Sequence, residues 1–200
     1  MRVSVLFSGG KDSSLAALLL EPFFDVELVT CTFGEVPTEA IVAKSARELN
    51  FPHRMLCLER EILESAYEMI LKDGFPKNAI NHIHKKALET LASESDMQFL
   101  ADGTRRDDRV PMLDLSQIRS LEDRFGVRYI CPLKGYGRNT VDRLVERHLL
   151  IEEGLSENTL KADYETELRE VIRQRIGEDK IHELFPVHVQ SHVLSRKMLR

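Results

Sequence analysis

Ser8-Gly9-Gly10-Lys11-Asp12-Ser13-Ser14 brings three hydroxyls, two glycines, an ammonium and a carboxylate together in seven residues. Adjacent glycines let backbone N–H groups turn inward with no Cβ in the way, and a following helix adds partial positive charge at its N-terminus. Ser8, Ser13 and Ser14 supply hydroxyl donors and Lys11 a full positive charge, so the segment predicts a phosphate cradle. It is not a Walker A loop, which needs glycine at position 5 and Ser or Thr at position 12, where Val5 and Asp12 stand. The chain contains no G-x-G-x-x-G either. Asp12 does not favour a phosphate by itself. It does so through Mg²⁺, a hard cation that bridges carboxylate and phosphate oxygens; the plainer alternative is an acid stabilised by the helix dipole.

A second chemical cluster is Asp102-Gly103-Thr104-Arg105-Arg106-Asp107-Asp108. Asp107 and Asp108 either hold a metal or orient a substrate, or they pair with Arg105, Arg106 and Arg109 on a solvated loop. Lys134 and Arg138 follow an apolar run and are candidates to grip an anion. Residues 105–147 carry ten Arg or Lys against seven Asp or Glu, a local cationic excess that suits RNA on an otherwise acidic chain. Three cysteines, Cys31, Cys57 and Cys131, form no Cys-x-x-Cys pair; core packing is the plainer explanation of each, and Cys31 and Cys131, which end strands, are also placed to approach a site at the sheet's ligand end. His82 and His84 lie two apart on a predicted helix and point to different faces, which disfavours joint metal ligation. His188 and His192 share a face, with no third ligand.

These residues need a frame. Val3 to Phe7, Val26 to Thr32, Arg54 to Leu58, Gln98 to Ala101 and Val127 to Cys131 read as short apolar strands. Between them fall helical patterns: one carrying Leu15, Leu18 and Leu19, then about Glu39 to Leu49, Glu61 to Lys72, Lys77 to Ser93 and Ile118 to Phe125. Alternation of this kind predicts a doubly wound parallel α/β sheet with helices on both faces. After Asn139 the chain reads as mostly helical through Arg175. Val187, Val189 and Val193 then alternate with His188, Gln190 and His192, a pattern for a late strand. No repeat, low-complexity tract or linker interrupts the sequence, so one domain is expected. At 42% apolar and a net charge of -5, a disordered chain is excluded. The longest apolar run, Leu15 to Leu20, is far too short to span a bilayer. No signal peptide is expected, and the odd, scattered cysteines fit a reducing cytoplasm.

Ser8 to Ser14 resembles the pyrophosphate-binding motif of the PP-loop ATP pyrophosphatases, the adenine nucleotide α-hydrolase-like enzymes. The resemblance continues through residues 1 to about 135, nearest to small archaeal-type members related to tRNA thiolation enzymes. It implies a five-stranded parallel sheet in the order 3-2-1-4-5, an ATP-binding core over 1–135 and a mainly helical extension over 136–200. It implies ATP and Mg²⁺ as cofactors, with Asp12 on the metal. Ser8 to Ser14, Gly103, Thr104 and Lys134 would contact the nucleotide, and Thr32 and Phe33, ending the second strand, would lie against adenine. Members cleave ATP between the α and β phosphates, adenylate a substrate oxygen, and let a nitrogen or sulfur nucleophile displace AMP.

On this reading Lys11, Asp12 and Asp108 take part in catalysis, and tRNA is the expected substrate. Sulfur comes from Cys131, with Lys134 and Arg138 lowering its pKa, or from a donor or partner subunit. A homodimer is also expected. Two other readings stay open: an ammonia-using amide- or nitrile-forming ligase, and a non-catalytic ATP- or AMP-binding module.

Overall fold

The computed structural model describes residues 1–156 and 161–197. Its first part alternates strand and helix: β1 (Arg2–Leu6), α1 (Lys11–Leu20), β2 (Asp25–Thr32), α2 (Glu39–Glu48), β3 (His53–Cys57), α3 (Arg60–Asp73), α4 (Lys77–Ala92), β4 (Phe99–Ala101), α5 (Leu115–Phe125) and β5 (Arg128–Ile130). The five strands pair in parallel in the order β3-β2-β1-β4-β5, as expected. Along β1, Val3 and Val5 face one side and Leu6 the other. The first side packs with α1, α2 and α6 (Arg138–His148); the second packs with α3, α4 and α5. A sheet covered on both faces explains why its strands read as continuous apolar runs rather than alternating ones. The order reverses between β1 and β4, and open sheets of this kind bind ligands beyond the strand ends at that switch point.

The C-terminal part is helical through α6, α7 (Tyr164–Ile176) and α8 (Asp179–Leu184), and it also contains a second sheet. Strands β6 (Leu149–Leu155) and β7 (Val189–Arg196) pair antiparallel. β6 falls inside the stretch read as helical. Its β-branched Ile151 and its Gly154 are poor helix residues, and pairing with β7 satisfies its backbone. Residues 157–160 of that stretch lie outside the described residues. β7 is the late strand, but its burial does not follow the alternation of the sequence: Val193 is buried and Val189 exposed, and Gln190 and Ser191 are both buried. The polar residues turn inward because β7 packs on the loop before α1. Val193 N–H donates to the Gly9 carbonyl at 2.9 Å, and Lys11 N–H donates to Ser191 Oγ at 3.1 Å.

Gly103, just past β4, fixes that loop from the other side. A Cβ built there would lie 2.6 Å from the Ser13 backbone nitrogen and 2.7 Å from the Asp12 carbonyl carbon. Backbone on both sides leaves nothing to give way. Gly103→Ala is therefore expected to cost roughly 1–3 kcal/mol, the usual range for overpacking. In a chain of this length that lowers Tm by about 2–4 °C per kcal/mol. Calorimetry showing an unchanged Tm would mean the loop accommodates the methyl group.

Candidate active site

A cleft of about 640 Å³ opens at the switch point. Ser8, Gly10, Lys11, Asp12 and Ser13 form its loop wall, and Gly9 and Ser14 stand behind them. Gly9 takes a left-handed φ of 77°, a conformation glycine adopts without steric cost. The Gly10 carbonyl accepts the hydroxyls of Ser13 at 3.2 Å and Ser14 at 2.8 Å, which tightens the first turn of α1. Lys11 Nζ sits between two carboxylates, Asp12 Oδ1 at 2.9 Å and Asp142 Oδ1 at 2.8 Å. A second lysine, Lys161, lies across the loop. Its Cε and Nζ are each 3.0 Å from where a Gly10 Cβ would be, so a side chain there would push the end of Lys161 off the loop.

The second cluster divides between the cleft and its support. Asp102, Gly103, Thr104, Arg105 and Asp108 line the wall. Asp108 accepts the Arg105 backbone N–H at 2.7 Å and its Nε–H at 3.0 Å, so it holds Arg105, whose Nε is also 3.7 Å from Asp12. Asp107 accepts the first N–H of α6, from Arg138, at 2.9 Å. Arg138 reaches the wall, whereas Lys134 is exposed and outside it.

Asp102 is the most heavily engaged group. Its Oδ2 accepts His84 Nε2 at 2.8 Å and the Tyr129 hydroxyl; its Oδ1 accepts Thr104 N–H at 2.9 Å. Burial works against its charge, but donation from His84, Tyr129 and Thr104 outweighs that and holds its pKa down at about 2. The same carboxylate overturns an expectation for Cys131. That thiol lies 3.7 Å from Asp102 Oδ1, and burial followed by the Asp102 charge pushes its pKa up to about 12. Lys134 only weakly opposes this, so the lowered pKa predicted from Lys134 and Arg138 is not realised. Cys31, which does line the cleft, is likewise pushed up to about 12, mainly by burial.

At the end of β2 the expected base contacts are already engaged. Thr32 Oγ1 donates to Glu167 Oε1 at 2.7 Å, and the N–H groups of Phe33 and Gly34 reach the same carboxylate at 3.0 Å. Burial raises the Glu167 pKa despite those donors. Lys161, Asp163, Glu165, His188 and Gln190 add a wall to the cleft from the C-terminal part. Sequence reasoning found none of these, nor the role of His84.

Fold and site together define an α/β protein with a glycine-rich loop and a mixed-charge cleft at the switch point of a five-stranded parallel sheet. The model of DUF7411, a family of unknown function, matches residues 1–195, and the chain belongs to that family. It is 43% identical over 198 residues to an uncharacterized protein of Methanocaldococcus jannaschii, covering 98% of this chain and 97% of that one. A crystal structure from the same organism, described as a predicted subunit of tRNA methyltransferase, superposes with a TM-score of 0.89 at 42% identity, covering 100% of both chains. U34-tRNA thiolase NcsA from Methanococcus maripaludis, solved with its [4Fe-4S] cluster, has a TM-score of 0.53 at 21% identity over 73% of this chain and 56% of that one. That last likeness is one of fold.

The charge on Asp102 gives an acid-stability prediction. A carboxyl held at about 2 when folded and near 3.8 when free contributes stability above pH 4, which is lost as pH falls toward 2. The amount is on the order of 2 kcal/mol. Urea unfolding at stepped pH should show Asp102→Asn well below wild type at neutral pH, with the gap narrowing between pH 4 and 2. A gap of constant size would mean that Asp102 is not the titrating group.

Proposed function

We propose that this chain is an ATP-dependent adenylating enzyme of the PP-loop kind, cleaving ATP to AMP and pyrophosphate to activate a substrate oxygen in tRNA modification. The observation that carries this reading is the Ser8–Ser14 loop on the N-terminus of α1, walling a cleft at the switch point with Lys161 laid across Gly10. Attack at the α-phosphorus expels pyrophosphate, so donors and positive charge are needed where that anion forms. The loop N–H groups, the Ser8 and Ser13 hydroxyls, Lys11 and Lys161 are the groups that would meet it.

The donor set also suits Mg²⁺. Among the described residues no three His, Cys, Asp or Glu side chains converge. That matches an ion which takes one carboxylate, Asp12, and fills its remaining positions with phosphate oxygens and water. Leu6, Val29, Cys31 and Ile80 give the cleft an apolar part suited to a base. Because Glu167 occupies the Thr32 and Phe33 donors, the base is assigned to that apolar wall instead.

The tRNA part of the reading draws on the relatives described by tRNA modification and on exposed Arg106, Arg109 and Lys134, in the same stretch of chain as Arg138 of the cleft wall. With Cys131 and Cys31 thiols both pushed to about 12, a sulfur atom would come from a separate donor rather than from these cysteines. The same observation favours a second reading, in which a nitrogen nucleophile displaces AMP and no cysteine is required.

Labelled ATP incubated with Mg²⁺, with and without tRNA, should release pyrophosphate and AMP in a tRNA-dependent way. Release of ADP and phosphate instead would overturn the proposal. Lys161→Ala and Lys11→Ala should each weaken ATP binding far more than AMP binding, since a charged hydrogen bond is worth roughly 1.5–3 kcal/mol. Calorimetry finding equal losses for the two nucleotides would remove these lysines from the β and γ phosphates.

A further inference from the structure

Three residues of α4 face the cleft, Lys77, Ile80 and His84, at the three- and four-residue spacing of one helical face. His84 is the deepest of them, 3% exposed, and it meets Asp102 at the end of β4. The pairing settles its ring chemistry. Asp102 accepts hydrogen bonds from every partner it has, which include Tyr129, Thr104 and Cys131. With a backbone N–H and a tyrosine hydroxyl already donating to it, the carboxylate acts as the acceptor, and His84 Nε2 carries a proton toward it. In the neutral imidazole the lone pair then resides on Nδ1.

Nδ1 makes no hydrogen bond to any described residue. It is also not a buried orphan, because Gln190 Oε1 is the one such side-chain atom among the described residues. It is therefore open to the cleft that His84 lines. One ring nitrogen is thus tied to a carboxylate and the other faces the space walled by Ser8–Ser13.

We propose that His84 is the general base of the adenylation step, with Asp102 the positioning residue that fixes its tautomer. The inference rests on the adenylating reading above and deepens it by naming the kind of oxygen activated: one that loses a proton on attack, either a hydroxyl or the carbonyl of a –CO–NH– lactam. As that oxygen bonds to the α-phosphorus, the bond from phosphorus to the bridging oxygen breaks and its electron pair leaves on pyrophosphate. The O–H or lactam N–H proton passes to His84 Nδ1. The resulting imidazolium lies beside the Asp102 carboxylate, which stabilises it without taking a proton.

The test uses the full chain with Mg²⁺, ATP and unfractionated tRNA. His84→Gln keeps an N–H donor within reach of Asp102 but has no base. It should lower AMP formation on the order of 100-fold, with ATP binding by calorimetry and Tm close to wild type. His84→Ala should recover activity when free imidazole is added. Independently of turnover, diethyl pyrocarbonate should modify His84 in the folded protein and be blocked by AMP. In Asp102→Asn, nitrogen NMR should show the His84 proton redistributed from Nε2 toward Nδ1. If wild type forms no AMP, the adenylating reading falls and this role falls with it. If wild type forms AMP and His84→Gln forms it equally fast, or if His84 resists modification until the protein unfolds, the general-base role alone is overturned.

Discussion

A single buried charge organises the centre of this protein. The Asp102 carboxylate lies between β1 and β5 at the point where strand order reverses, and it is 3% exposed. An isolated charge there would be prohibitively costly, so its donors must stay in place. That requirement fixes His84 on α4, the Tyr129 hydroxyl on β5 and the turn at Thr104 in one geometry. It also suppresses the Cys131 thiolate, because a second negative charge beside Asp102 is unfavourable. One residue further on, Gly103 touches the backbone of Asp12 and Ser13. The carboxylate network and the glycine-rich loop are thus held in a fixed relation by two consecutive residues, with no side chain between them.

The C-terminal part supplies the other half of the same construction. β7 pins the loop through the Gly9 carbonyl and the Lys11 N–H, and Lys161 covers Gly10. Glu167 reaches from α7 into the turn after β2, where a hydroxyl and consecutive N–H groups receive it. Burial of that carboxylate opposes its charge, and those donors offset the cost. The consequence is coupling: α7 cannot move without releasing the end of β2. The cleft-side ends of β1 and β2 therefore take their conformation from residues more than a hundred positions later in the chain.

This explains which features were legible in the sequence. The Ser8–Ser14 loop and the parallel sheet are written in local patterns, since glycines, hydroxyls and apolar runs act on their immediate neighbours. The order 3-2-1-4-5 came from family resemblance, and the structure has it. β6 was missed because its apolar start, Leu149 to Ile151, follows α6 with no break in the sequence, and its partner strand is distant. β7 was legible as a strand, but the burial of Gln190 and Ser191 was not, because they face a polar cleft and loop rather than an apolar core. Lys161, Glu167 and His84 carry no local mark at all. His84 was judged by its spacing from His82, whereas the partner that matters, Asp102, arrives from another strand.

The electrostatics of the cleft follow from the same economy of paired charges. Lys11 is matched by Asp12 and Asp142, Lys161 by Asp163, and Arg105 by Asp12 and Asp108. The cations of the cleft are thus internally neutralised, which spares the fold the repulsion of several clustered positive charges. Under the adenylating reading, a polyphosphate must displace carboxylates from those cations in order to bind. Mg²⁺ held by Asp12 would relieve that competition at one point. With Asp12 on the metal, Lys11 and Arg105 would each lose one carboxylate partner and gain free charge toward the phosphates. A metal–nucleotide complex and the free nucleotide would then meet different sites, and the residue that separates them would be Asp12. On that reading an acid has a physical reason to stand inside the glycine-rich loop, where on its own it would repel an anion.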